Sequence, residues 1–256
     1  TTNRNGTITL NGVGGINYDD TSHSVGINFY HGAGLSNNNI STENGAITLS
    51  GTAGSGLSRI KAGINLDFGT VNVFSTTGSV SVTGIASSPA IGLLNNGGTM
   101  TVGKNGSTLT SGAVTLTGDS FSFALGTTSV YGTGALTIKP YTSGTTMGIG
   151  SGSGTLVLAN NLFSGTSVFK DGFSSITLGS STAGDLAVGG ANTFVDSVAL
   201  VSGGNITLNA SSSIPDSQNN GYIALAATGN FVNNAGATPL TTTGSSGRWV
   251  VYSNDP

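Results

Sequence analysis

Blocks of three residues, apolar at the first and third positions and polar or small at the second, recur along the whole chain, each bounded by Gly, Ser or Asn. The clearest are Ile8-Thr9-Leu10, Ile47-Thr48-Leu49, Val71-Asn72-Val73, Val80-Ser81-Val82, Met100-Thr101-Val102 and Val114-Thr115-Leu116. They continue with Leu136-Thr137-Ile138, Leu156-Val157-Leu158, Ile176-Thr177-Leu178, Leu186-Ala187-Val188, Ile206-Thr207-Leu208 and Ile223-Ala224-Leu225. A period of two places the first and third side chains on one face of an extended strand and the second on the other. Each block therefore reads as a short strand with one buried face. No clear amphipathic helix interrupts the series.

The blocks are also evenly spaced. Val80 to Met100, Leu136 to Leu156, Leu156 to Ile176 and Leu186 to Ile206 are each about 20 residues apart, a period whose size points to a solenoid. In such a fold each repeat buries its apolar face against its neighbours. The expected fold is all-β: one parallel β-helix rod over residues 1–256, with about 20 residues per coil. Roughly a dozen coils stacked about 4.8 Å apart would make a rod some 50–60 Å long. The rhythm is weakest over residues 17–43, which hold both His and three of the ten acids, and loops projecting from the N-terminal coils are expected there.

Composition agrees with this reading and narrows the function. With 43 Gly, 7% charged residues and a net charge of -3, the chain lacks the titratable inventory of an ordinary enzyme. Disorder goes with low hydropathy and high charge, whereas mean hydropathy is +0.15. Seven scattered Lys and Arg cannot neutralise a nucleic-acid backbone. Apolar runs such as 222–227 are far short of the ~20 residues that cross a bilayer, and TTNRNGTITL has no apolar signal core. The expectation is a mature or truncated chain without membrane insertion. The absence of Cys excludes a disulfide framework and suits export.

Candidate sites are few. Asp19, Asp20, His23, His31 and Glu43 combine carboxylate and imidazole on the segment expected to project, but their spacing matches no metal motif, so no metal is assigned. Asp171 and Asp196 are expected about one coil apart, without the Arg, Lys or His partners that acid–base chemistry needs. Neither catalysis nor a cofactor is expected. The Gly-rich stretch from Gly148 to Gly154 lacks the Lys-Ser/Thr of a phosphate loop and reads as turns. Outward Thr pairs such as Thr7 and Thr9, Thr99 and Thr101, and Thr115 and Thr117 read first as ordinary exposed strand residues and second as a hydroxyl face. Trp249 and Tyr252 are candidate carbohydrate contacts; their opposite parity puts them on different faces, with at least one in the core or against a following module.

Several phrases together resemble the stalk of filamentous haemagglutinin-like exoproteins. They are GALTIKPY at 134–141, MGIG at 147–150, GFSSITLG at 172–179, GDLAVGG at 184–190, GGNITLN at 203–209 and the closing GRWVVYSNDP at 247–256. The resemblance covers residues 134–256. It implies a right-handed β-helix within a very large secreted or cell-surface bacterial adhesin exported by two-partner secretion. The role implied is reach, stiffness and display in cell adhesion or biofilm. The partners implied are a host-cell or matrix glycan or protein, and adjacent segments of the same chain. The Asn-Pro-Asn motifs of the family's secretion domain are absent, so transporter recognition is not assigned to this chain. Two further readings stand beside it: a carbohydrate-binding or polysaccharide-cleaving β-helix, and a subunit that assembles end to end into extracellular filaments.

Overall fold

A computed structural model describes residues 5–16, 23–30, 37–67, 69–87, 89–123 and 127–254. The chain divides into two compact units, Thr1–Gly134 and Ala135–Pro256. Each is β-solenoid-like, built from stacks of parallel strands. The one helical element among the described residues is the single 3-10 turn Asn160–Phe163 in the second unit.

The first unit has three stacks. The first comprises Ile8–Val13, Ile47–Thr52, Val80–Ile85 and Val114–Gly118. The second comprises His23–Tyr30, Ile60–Asp67, Ile91–Asn95 and Phe121–Ser122, and the third Asn37–Thr42, Thr70–Ser75, Thr99–Val102 and Thr128–Val130. The chain visits the stacks in that order and then returns to the first, one strand further along. Register aligns Ile47 with Val80 and Val114, and Leu49 with Val82 and Leu116, in two inward ladders that are at most 1% exposed. Every inward side chain contributes about 1.5–3 kcal/mol on burial, so the ladders supply the cohesion that no single turn of chain could provide. A short antiparallel hairpin, Lys104–Asn105 with Thr108–Leu109, departs from the third stack and sets the Lys104 amine 4.6 Å from the centre of the Tyr131 ring.

Where the first and second stacks meet, glycine lets two backbones touch. A Cβ on Gly12, Gly51 or Gly84 would run into the carbonyl oxygen of Gly26, Gly63 or Gly92, respectively. Gly12, Gly51, Gly84 and Gly118 are register partners, so the glycine corner recurs through three levels; at the fourth, a Cβ on Gly118 would meet the Gly84 carbonyl oxygen and the Phe121 ring instead. The turn into the first stack is closed by Ser75, whose hydroxyl donates to the Gly45 carbonyl at 2.9 Å and accepts the Gly78 N–H at 3.0 Å.

The second unit has a five-strand stack, Ala135–Lys139, Ser175–Gly179, Val198–Ser202, Tyr222–Ala227 and Arg248–Tyr252. A second stack runs Leu156–Leu158, Met147–Gly150, Leu186–Gly189, Ile206–Leu208 and Phe231–Asn233. Its third side is shorter: Ile214–Asn219 pairs with Leu240–Thr243, and single bridges join Ala191 to Ser213 and Phe194 to Asp216. Phenylalanines fill the interior here. Phe163 stacks on Phe169 at 4.9 Å and lies 5.0 Å from Phe194, all at most 1% exposed.

Register corrects the uniform short coil. In the first stack of the first unit, Ile8 aligns with Ile47, Ile47 with Val80 and Val80 with Val114, so every step is more than half as long again as the expected coil. In the second unit the long stack steps from Leu136 to Ile176, then to Val198, Ile223 and Trp249. The first of these steps is double the expected coil, and the later ones exceed it only slightly. Among the evenly spaced pairs of the sequence, only Leu186 and Ile206 join stacked strands; Val80 and Met100, Leu136 and Leu156, and Leu156 and Ile176 lie in different stacks. A turn with three full strands simply needs more chain. The inward assignments hold: the first and third residues of every triplet from Ile47 onward are at most 5% exposed. Leu10, in an edge strand with one neighbour, is 39% exposed. Within residues 17–43, the stretches His23–Tyr30 and Asn37–Thr42 are strands, and the rest of the expected loop region, 17–22 and 31–36, lies outside the described residues.

Candidate functional site

Asp19, Asp20 and His31 lie outside the described residues or their side chains do. His23 opens one strand and Glu43 follows another, both exposed. Among the described residues, no three His, Asp or Glu gather closely enough to hold a metal.

Trp249 and Tyr252 sit on the edge strand Arg248–Tyr252 in register with Ile223 and Ala226. Ile223 is fully buried and Ala226 is not, which places the two aromatic residues on opposite faces, as their parity requires. Trp249 holds a core register position yet is 55% exposed. With Phe231, Pro239, Leu240 and Val251 it lines an apolar cavity of about 170 Å³. Tyr252 looks the other way, so the pair cannot clamp one sugar ring.

The outward positions of the first stack form two polar rows. Register lines up Thr9, Thr48, Ser81 and Thr115, and beside them Asn11, Ser50, Thr83 and Thr117, of which Thr117 is buried. Thr115 and Thr117 are the one expected Thr pair that spans both rows, because Ser and Asn replace Thr at other levels. Amides stack too: Asn65 donates to Asn28 at 2.9 Å, and Asn44 to Asn5 at 2.6 Å.

The strongest electrostatic feature is a pair of acids at a corner of the second unit. The bridge between Gly165 and Lys170 brings the chain into a turn at Asp171 and Gly172. Asp196, two positions beyond the buried Phe194, reaches that turn from a later segment: its Oδ1 accepts the Gly172 N–H at 3.1 Å. Asp196 is 1% exposed and Asp171 is exposed. Burial pushes the Asp196 carboxyl up to about 6; the N–H groups of Gly172 and Phe173 pull it down, and the Asp171 carboxylate adds to the rise. The Asp196 Oδ2 is buried. Lys170 directs its amine to the Thr166 carbonyl at 2.8 Å.

A second buried acid, Asp216, is also raised by burial, and its Oδ1 accepts the Gln218 N–H at 2.8 Å. Gln218 in turn accepts from the Ser197 N–H at 3.0 Å and the Ser197 hydroxyl at 2.5 Å. Through these contacts the two acidic corners tie successive levels of the solenoid. Asp171 and Asp196 stand out in the sequence by their spacing; the burial of Asp196 and Asp216 does not, since it depends on which corner closes over them. No protein-family model, no curated protein and no solved structure matches this chain.

Proposed function

We propose that the chain is a rod-forming segment of a secreted bacterial surface exoprotein similar to the filamentous haemagglutinin-like adhesins. It is built as a right-handed parallel β-helix and serves reach, stiffness and display in adhesion or biofilm, with no catalytic step. The observation that carries this reading is the continuity of the inward ladders, Ile47 with Val80 and Val114, and Ile176 with Val198 and Ile223. Stacked backbone hydrogen bonds and buried aliphatic ladders resist bending, while outward Thr, Ser and Asn hydrate the surface with little charge. Parallel pairing is slow to form, which suits folding as a chain emerges from a cell.

The test is display. The chain is inserted between a bacterial surface anchor and an epitope, and the height of the epitope above the outer membrane is measured by super-resolution microscopy. The epitope should move outward by several nanometres; an unchanged height would remove the spacer role. A glycan array and a reducing-sugar assay on the purified chain separate this reading from a carbohydrate-binding or carbohydrate-cleaving one.

End-to-end association is a second reading, favoured by two apolar edge strands. Leu10 and Val13 on one are 39% and 80% exposed, and Trp249 on the other is 55% exposed. Sedimentation at rising concentration should show growing oligomers if it holds, and a single monomer species if it does not.

A further inference from the structure

We propose that Asn105 is a self-modifying site, at which the chain deamidates spontaneously to aspartate and isoaspartate in the hairpin of Lys104–Asn105 with Thr108–Leu109. The chain has six Asn-Gly steps, at Asn5, Asn11, Asn44, Asn96, Asn105 and Asn220. In each, the glycine has no side chain to shield its backbone nitrogen, the nucleophile of the reaction. That nitrogen gives its proton to a solvent base and attacks the carboxamide carbon of the Asn side chain. As the new C–N bond forms, the C–NH2 bond breaks, and the amine takes up a proton and leaves as ammonia. Water then adds to either carbonyl of the cyclic imide and opens it, which leaves aspartate or its isomer with a longer backbone. Water is the only co-reactant.

Restraint separates the six steps. Asn11 lies in a parallel ladder with Ser50, and Gly12 is pressed against the Gly26 carbonyl. The Asn44 amide donates to the Asn5 Oδ1 at 2.6 Å and its Oδ1 accepts the Thr77 hydroxyl at 2.8 Å, which ties two steps together. Asn96 donates to Asp67 at 3.1 Å, and the Gly97 N–H is taken by the Asn95 Oδ1 at 3.2 Å. The Asn220 Oδ1 accepts the Ser246 N–H at 2.9 Å, while the Gly221 N–H donates to the Gln218 carbonyl at 3.1 Å. Asn105 differs from all of these. Residues 105–108 are exposed, a Cβ on Gly106 would meet nothing within 4 Å, and no side-chain hydrogen bond holds Asn105 among the described residues. Two residue pairs, Lys104 with Leu109 and Asn105 with Thr108, close the hairpin. So short a hairpin opens at small cost, which lets Asn105 leave the extended conformation and reach the attack geometry.

The product sets a carboxylate next in sequence to Lys104, whose amine stands 4.6 Å from the centre of the Tyr131 ring, and isoaspartate lengthens the backbone where Asn105 pairs with Thr108. The hairpin thus changes charge and shape with age while the stacked strands keep their register. To test this, the full 256-residue chain is aged at neutral and mildly alkaline pH in water enriched in heavy oxygen, with and without urea. Each Asn-Gly peptide is followed by chromatography and mass spectrometry. In the folded chain Asn105 should convert about tenfold or more faster than the other five, whose restraints must first open, and faster still at the alkaline pH. Its product should carry the heavy oxygen and separate into two forms. In urea the six rates should converge. An intact Asn105 peptide in the aged folded chain, earlier conversion at another Asn-Gly step, or the same ranking in urea overturns the proposal.

Discussion

The two units solve the same problem, turning a flat parallel strand into a closed coil, by different chemistry. In the first unit the corner between stacks is made by removing side chains: Gly51 meets Gly63 and Gly84 meets Gly92, backbone to backbone. In the second unit glycine still meets backbone, as Gly148 meets Gly152 and Gly184 meets Gly144, but space at one corner is filled, by Phe163, Phe169 and Phe194, and the adjacent corner is tied by Asp196 and Asp216 through backbone N–H groups. A glycine corner tolerates nothing larger. A filled corner tolerates substitution, at the cost of a cavity or an unpaired charge. The comparison shows that one alternating pattern fits two cross-sections, and that the corner residues rather than the strand residues decide which is built.

Substitutions at the corners probe that difference. The largest effect is expected at the glycine corner: Gly51→Val places its Cβ against the Gly63 carbonyl, where backbone on both sides cannot move aside, and should cost more than about 4 kcal/mol. Gly15→Ala, whose added methyl would meet nothing within 4 Å, is the control and should stay within about 0.5 kcal/mol in urea melts. Next is Phe163→Ala in the second unit, a cavity among Phe169 and Phe194 that should cost about 3–4 kcal/mol. If Gly51→Val proved milder than Phe163→Ala, the contrast between corners would fail.

A smaller effect, and one of opposite sign, is expected at Asp196. Its folded-state pKa of about 6 lies above the usual carboxyl value, so the folded chain binds more protons than the unfolded one between about pH 4 and 6. Stability contributed by the protonated group is complete below that window and is lost as pH rises through about 6. Allowing for solvent screening at the exposed Asp171 side, the loss is about 1–2 kcal/mol. Asp196→Asn should therefore flatten the pH dependence and be the more stable chain at neutral pH; urea melts at pH values on either side of the window check this. The smallest effect is expected on the outer face, where Thr115→Val exchanges one half-exposed strand residue for another and should change stability by less than about 0.5 kcal/mol.

Much of the strand pattern was legible, because inward and outward parity is local. Ile47 and Leu49, or Ile206 and Leu208, alternate with their neighbours whatever the coil length, and all four are fully buried. Stack membership is not local. Val80 and Met100 match in pattern at the expected spacing but belong to different stacks, since three strands of similar pattern follow one another within a single turn. A usable signal was present in the glycines: Gly45-x-Ile47-x-Leu49-x-Gly51 returns as Gly78-x-Val80-x-Val82-x-Gly84 and as Gly112-x-Val114-x-Leu116-x-Gly118. The interval at which this phrase returns is the stacking step of the first unit, because Ile47, Val80 and Val114 are register partners. Asp196 stood out by its spacing from Asp171, but nothing in the sequence signalled that Asp196 and Asp216 are buried. An isolated Asp in a Ser-rich stretch looks like a solvated turn until the next level of the coil covers it.

The coil step is the central claim, and a chain without cysteine allows it to be measured directly by disulfide trapping. Stacked parallel partners stand about 4.8 Å apart, inside the ~4.4–6.8 Å range of Cα separations that a disulfide spans. Thr48→Cys with Ser81→Cys pairs outward register partners of the first stack, whereas Ser81→Cys with Thr101→Cys pairs residues one short period apart in different stacks. Under mild oxidation, with mass spectrometry of the non-reduced digest, the first pair should close intramolecularly and the second should not. Closure of the second pair with failure of the first would contradict the stacking described here.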